Sequence, residues 1–185
     1  MTEQPTETLW RTALWQQFGA TIDMLENALM ACPDSLWEQR LWTPPDRSLP
    51  PGFATFWYVA YHTLFWLDLY LAGSVEGFAP PAPFTLDELD PAGVVPERPY
   101  TKDELHSYLV HLRKKCQTTI TELSDEKAYQ RIDFLWTRGK PVGFLELQLY
   151  SMRHVMEHTA QLSLFLGQHG IPDEALDWVA RAKSE

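Results

Sequence analysis

The sequence predicts an all-α fold: a four-helix bundle with a long crossover loop between helices two and three and a short C-terminal helix, built as one domain over residues 1–185. Three observations predict it. Four long stretches carry apolar residues at helical spacing or almost without interruption. Each is bounded by proline, glycine or a capping residue. No alternating apolar–polar run of useful length argues for a sheet. At 185 residues, 45% hydrophobic and 22% charged, the chain can bury a sizeable core.

The first long helix is expected from about Thr6 to Ala31, where Leu9, Ala13, Phe18, Ile22, Leu25 and Leu29 fall roughly in register. Pro33 ends it. A short helical piece, SLWEQRLW, follows, and then the breaker-rich TPPDRSLPPG. The second long helix is the apolar run from about Phe53 to Ala72, closed by Gly73. Its length approaches that of a membrane span, but it carries His62 and Asp68 and has no flanking Lys/Arg cluster. It therefore reads as a helix buried on nearly all sides, or as one that also supplies a dimer face.

The third opens at YTKDEL, with Thr101 as N-cap and Glu104 completing a capping box. Leu105, Leu109, Leu112, Cys116, Ile120 and Leu123 form its apolar stripe. The fourth starts near Val142, after Pro141, and runs to about Gly167. HGIP ends it, and DEALDWVARAKSE can form the short terminal helix. The Pro-rich segment from Gly73 to Tyr100 is too long for a tight turn. Such a connection crosses the end of a bundle and lets neighbouring helices run parallel, and long ordered loops often form lids.

Net charge is −10 at pH 7. No basic footprint for nucleic acid or anionic membranes is present. Cys32 and Cys116 are far apart and outside any CxxC spacing, so neither a disulfide framework nor a cysteine zinc site is indicated. A reduced cytoplasmic chain fits, and MTEQPTETLW lacks the basic and apolar regions of a secretion signal.

The chemistry concentrates in the histidines. With about 100° per residue, His158 lies about 40° from His154 on the helix, and Leu147, Tyr150, Gln161 and Phe165 share the stripe. His-x-x-x-His on one face offers two imidazoles to a single metal. A good site needs a third ligand. His62 is the natural one, because it sits among Tyr58, Val59, Trp66 and Leu69, a face as apolar as any in the chain. An unsatisfied polar group there costs a few kcal/mol. Three histidines leave a coordination position open, as catalytic metals require. Spacing alone is equally consistent with histidines hydrogen-bonded in a core.

His106, His111 and His169 fit this role less well: one lies on a helix flank, one opposite the apolar stripe, one at a helix end. HVMEH also matches H-x-x-E-H, with Glu157 as a would-be base. Glu157 lies about 60° from His154 and about 100° from His158, so a supporting partner to an imidazole suits it better.

A histidine within YVAYHTLFWLDLYL, together with RHVMEHTAQLSLFLGQHG, resembles the DinB/YfiT-like superfamily. The resemblance covers nearly the whole chain in helix order, helix length and crossover. It implies a four-helix bundle, often homodimeric, with a three-histidine metal site. By matching position, His62, His154 and His158 would be the ligands, with zinc or nickel the typical ions. Some relatives work with low-molecular-weight thiols as cosubstrates.

Two functions follow as expectations. One is a metal-dependent thiol S-transferase or hydrolase acting on a small molecule. Tyr58, Trp66, Tyr150 and Phe165 would line its pocket, the crossover loop would serve as a lid, and Gln161 would bond a metal-bound ligand or a ligating histidine. The other is a non-catalytic, dimeric metal-binding or stress-response protein.

Overall fold

In the computed structural model, residues 6–43 and 50–184 are described. The N-terminal MTEQP and positions 44–49 of the breaker-rich segment lie outside them. The first long helix, α1, spans Thr6–Ala31. A one-turn helix, α2 (Asp34–Trp37), follows. Next come α3 (Phe56–Ala72) and α4 (Lys102–Thr121). After a short helix α5 (Asp125–Tyr129), strands β1 (Arg131–Ile132) and β2 (Val142–Gly143) form a two-stranded antiparallel ladder. The fourth long helix, α6, is Phe144–Gln168.

The register of α1 differs from expectation at its start. Phe18, Ile22, Leu25 and Leu29 are buried, but Leu9 is 73% exposed and Ala13 is also exposed. Leu14 and Trp15 take the inward positions instead. They lie four and three residues before Phe18 and so keep the 3.6-residue period, which Ala13, five residues before it, does not. In α4 the stripe from Leu105 to Ile120 is buried, and Leu123 just beyond the helix is buried as well. Thr101 Oγ1 accepts from Glu104 N–H and Glu104 Oε2 accepts from Thr101 N–H, the reciprocal capping box. The Arg98 guanidinium, bonded to both oxygens of that carboxylate, holds its pKa at about 2.

The four long helices pack in the cyclic order α1–α4–α3–α6, so α1 faces α3 across the core. Pairs of contacts give their directions. Along α3 and α4, Tyr61 meets Tyr100 just ahead of α4, and Asp68 meets Tyr108 and Lys115, so these neighbours run parallel. Along α3 and α6, Tyr70 meets Gln148, His62 meets His158, and Phe56 meets Phe165, so these run antiparallel.

The parallel pair is what the long crossover permits. Gly73 closes α3 in a left-handed conformation, φ 75°, where its N–H bonds Leu69 O. A Cβ there would come within 3.0 Å of the Phe144 ring, so both the backbone and the space favour glycine. The crossover is packed down rather than looped out: Phe84 is buried against Tyr61, Tyr100 and Tyr108.

Helix α3 is buried on nearly all sides; His62 and Trp66 are its half-buried exceptions before the exposed Ala72. That removes it as a dimer face. No described helix is long and apolar enough to cross a membrane.

The terminal segment forms only a single 3-10 turn, Asp173–Leu176, and then runs extended along α1. Main-chain and carboxylate bonds hold it there. Ala182 N–H donates to Gln16 O, Lys183 N–H donates to buried Asp23, and Arg113 bridges Asp23 and Lys183 O. These tertiary partners replace the i→i−4 bonds that a helix would have made.

Candidate metal centre

Helix α3 contributes His62 and helix α6 contributes His154 and His158. Because the two helices run antiparallel, the middle of one lies opposite the middle of the other. Ring centroids are 5.3 Å apart for His62–His154, 5.0 Å for His62–His158 and 4.5 Å for His154–His158. One nitrogen from each ring lies within 4.8 Å of the others, and all three residues are half-buried.

The outer nitrogens decide which atoms converge. His62 Nδ1 lies 2.8 Å from Glu88 Oε2, a carboxylate that can only accept. His158 Nδ1 lies 2.8 Å from Gln161 Oε1. Each of these imidazoles in its neutral form therefore carries its proton on Nδ1 and has a bare lone pair on Nε2. His158 Nε2 is 3.1 Å from His154 Nε2. His154 Nδ1 is buried with no hydrogen-bond partner among the described residues.

Burial, and then the neighbouring His158 and His62, push the pKa of His154 down to about 3. Burial and His62 likewise lower that of His158, against the raising effect of Gln161. At neutral pH both are unprotonated, the form that binds metal.

This donor set fits a divalent ion. Two nitrogens bound at about 2.1 Å to one tetrahedral ion lie about 3.4 Å apart. The His154–His158 separation needs little adjustment to match. A carboxylate behind His62 and an amide oxygen behind His158 are the partners that orient metal-bound imidazoles.

Glu88 was not legible as a site residue. It sits in a 3-10 turn, Asp87–Leu89, within the crossover. Its side chain is only 4% exposed. Trp66 Nε1–H donates to the same Oε2, at 2.8 Å. Burial raises the carboxyl, but the bonds and charge from His62, with Trp66, outweigh it and hold the pKa below the usual range. The only sequence hint is an acidic turn, LDELD, inside a proline-rich loop.

Beside His62 and His158 lies a cavity of about 150 Å³ walled by Trp42, Phe53, Ala54, Tyr58 and Val59. Of the four residues expected to line a pocket, Tyr58 does so, and its phenol also lies near Glu88. Trp66 instead anchors Glu88. Tyr150 stacks on His154 and on Trp136. Phe165 is away from this wall, buried against Phe56 and His169. Its angular position matches that of the histidines, but seven residues beyond His158 is about 10 Å along the axis.

Gln161 bonds His158, whereas Glu157 is exposed and makes no hydrogen bond to a histidine. His106 pairs with Glu26, His111 is exposed, and His169 Nδ1 lies 2.8 Å from Phe165 O at the end of α6.

A sequence model of the DinB superfamily matches residues 17–162, which contain all three histidines and Glu88. The chain belongs to the DinB superfamily. Comparison with curated proteins finds no match. In this DinB-superfamily chain the three histidines and the bundle that aligns them fall within the matched region, whereas the extended C-terminal strap lies beyond it.

Proposed function

We propose that this chain is a metal-dependent DinB-type enzyme, a thiol S-transferase or hydrolase, whose ion is held by Nε2 of His62, His154 and His158. The observation that carries the reading is the convergence of three imidazoles, two with lowered pKa, around a His154 whose Nδ1 has no hydrogen-bond partner among the described residues. Zinc or nickel suits an all-imidazole donor set. When bound, such an ion with an open position lowers the pKa of a water or thiol and supplies a nucleophile near neutral pH.

The residues of the chain do the rest. Glu88 and Gln161 fix two tautomers, and the crossover holds Glu88 in place. The chain's own thiols are unsuited to the chemistry: burial pushes Cys32 up to about 12 and Cys116 up as well. A thiol nucleophile would therefore come from a small cosubstrate.

Elemental analysis of untagged protein after incubation with zinc or nickel tests the reading. About one ion per chain is expected; less than about 0.1 overturns it. Screening thiols with electrophiles on loaded protein then tests turnover.

A dimeric metal-binding protein without turnover is the second reading. It is favoured by the outer face of α6, where Leu149, Met156 and Leu164 are exposed at helical spacing. Metal at full stoichiometry, a dimer by sedimentation and no turnover would select it.

A further inference from the structure

We propose that the centre takes a substrate whose reacting polar group is joined to a compact, uncharged apolar group about the size of one aromatic ring, seated between Trp42, Phe53 and Val59. The inference rests on the metal-centre reading and names the class of molecule that reading leaves open.

The cavity touches the cluster directly, since His62 and His158 form part of its wall. Its volume, about 150 Å³, matches that of a buried apolar cavity which binds benzene in another protein. Among the described residues, every lining side chain besides the two histidines is aliphatic or aromatic, and Tyr58 adds a hydroxyl. No Lys, Arg, Asp or Glu is among those described residues. The carboxylate nearest the cluster, Glu88, is already bonded to His62 and Trp66. A charged group entering here would lose hydration without gaining a charged partner among the described residues, whereas a ring would gain by burial.

The wall is also held in place. Leu41 N–H donates to Ala54 O and Phe56 N–H donates to Gln39 O, with Arg40 and Thr55 paired between them. This bracket fixes Trp42 beside the 3-10 turn that carries Phe53. Trp42 is 41% exposed, which places it at the rim.

The test compares two ligands with the same chelating head on the zinc-loaded full chain: benzohydroxamate, which bears a ring, and acetohydroxamate, which does not. Isothermal titration is expected to show both binding, with benzohydroxamate about tenfold tighter or better. In the Trp42→Ala, Phe53→Ala double variant the gap should narrow at least to about threefold, while acetohydroxamate affinity stays unchanged. Both positions are only partly buried, so the variant keeps its core.

Equal affinities in the natural chain, or an undiminished gap in the double variant, would overturn the apolar seat and leave the metal centre standing. Failure of both ligands to bind would overturn the metal centre itself, and this proposal with it.

Discussion

Helix α3 presents two polar groups to two neighbours, and they are finished very differently. Toward α4 it offers Asp68, buried at 2% exposure. Tyr108 O–H donates to its Oδ2 at 2.7 Å and Lys115 Nζ to its Oδ1 at 2.5 Å. Charge and hydrogen bonding are both satisfied there. Toward α6 it offers His62, which meets two further imidazoles, with the Glu88 carboxylate behind it. There the inner nitrogens of His154 and His158 face one another, and His154 Nδ1 has no hydrogen-bond partner among the described residues. A completed network stabilises a fold. A cluster of converging imidazole nitrogens with supports behind two of the rings is incomplete until something electropositive joins it.

The largest effect should come from breaking the incomplete site. Replacing any one of His62, His154 or His158 with Ala should abolish tight zinc binding in equilibrium dialysis while leaving thermal unfolding of the metal-free chain within about 1 kcal/mol. Zinc retained equally by all three variants would refute the assignment. The completed site should behave in the opposite way. Asp68→Ala removes the carboxylate that pairs with Lys115 and leaves Tyr108 O–H without its acceptor, and should cost about 3 kcal/mol in urea unfolding, with zinc stoichiometry unchanged.

A smaller effect separates support from ligation. Glu88→Gln should keep the stoichiometry but weaken zinc affinity about 10- to 100-fold, because the carboxylate no longer polarises and orients His62. Unchanged affinity would reduce Glu88 to a packing group.

The pH dependence sharpens the same contrast. Burial holds the pKa of His154 at about 3, well below the ordinary imidazole value of 6.5, and lowers that of His158 as well. Between the two pKa values the unfolded chain binds more protons, so stability rises with pH there and is lost as pH falls below about 6.5. Metal-free protein should therefore unfold more readily at pH 5 than at pH 7. A His154→Gln, His158→Gln variant should show a shallower slope by differential scanning calorimetry. The smallest effect is expected at exposed His111 and Glu157: alanine at either should leave zinc binding intact and stability within about 0.5 kcal/mol.

Much of the bundle was legible because it depends on local rules. The start of α4 followed from Thr101 and Glu104, the end of α3 from Gly73, and the α4 stripe from its period. The first turns of α1 misled because a spacing of four, read from Leu9 to Ala13, drifts off the 3.6-residue face that Leu14 and Trp15 keep. The terminal segment carries residues that favour helix, but Asp23 and Arg113 on α1 and α4 capture its backbone in non-helical form.

By itself, then, the sequence determined which residues could act. An i,i+4 histidine pair on one helical face and a third histidine inside an apolar helix are facts of spacing and side-chain chemistry. Tertiary structure alone decided that they meet, because the antiparallel packing of α3 on α6 sets residue 62 opposite 154 and 158. It also decided what stands behind and beside them. Glu88 reaches His62 from a crossover 26 residues away in the chain, and Trp42 and Phe53 are brought together by main-chain bonds. No periodicity encodes such contacts, since they depend on where a loop settles once the helices have packed.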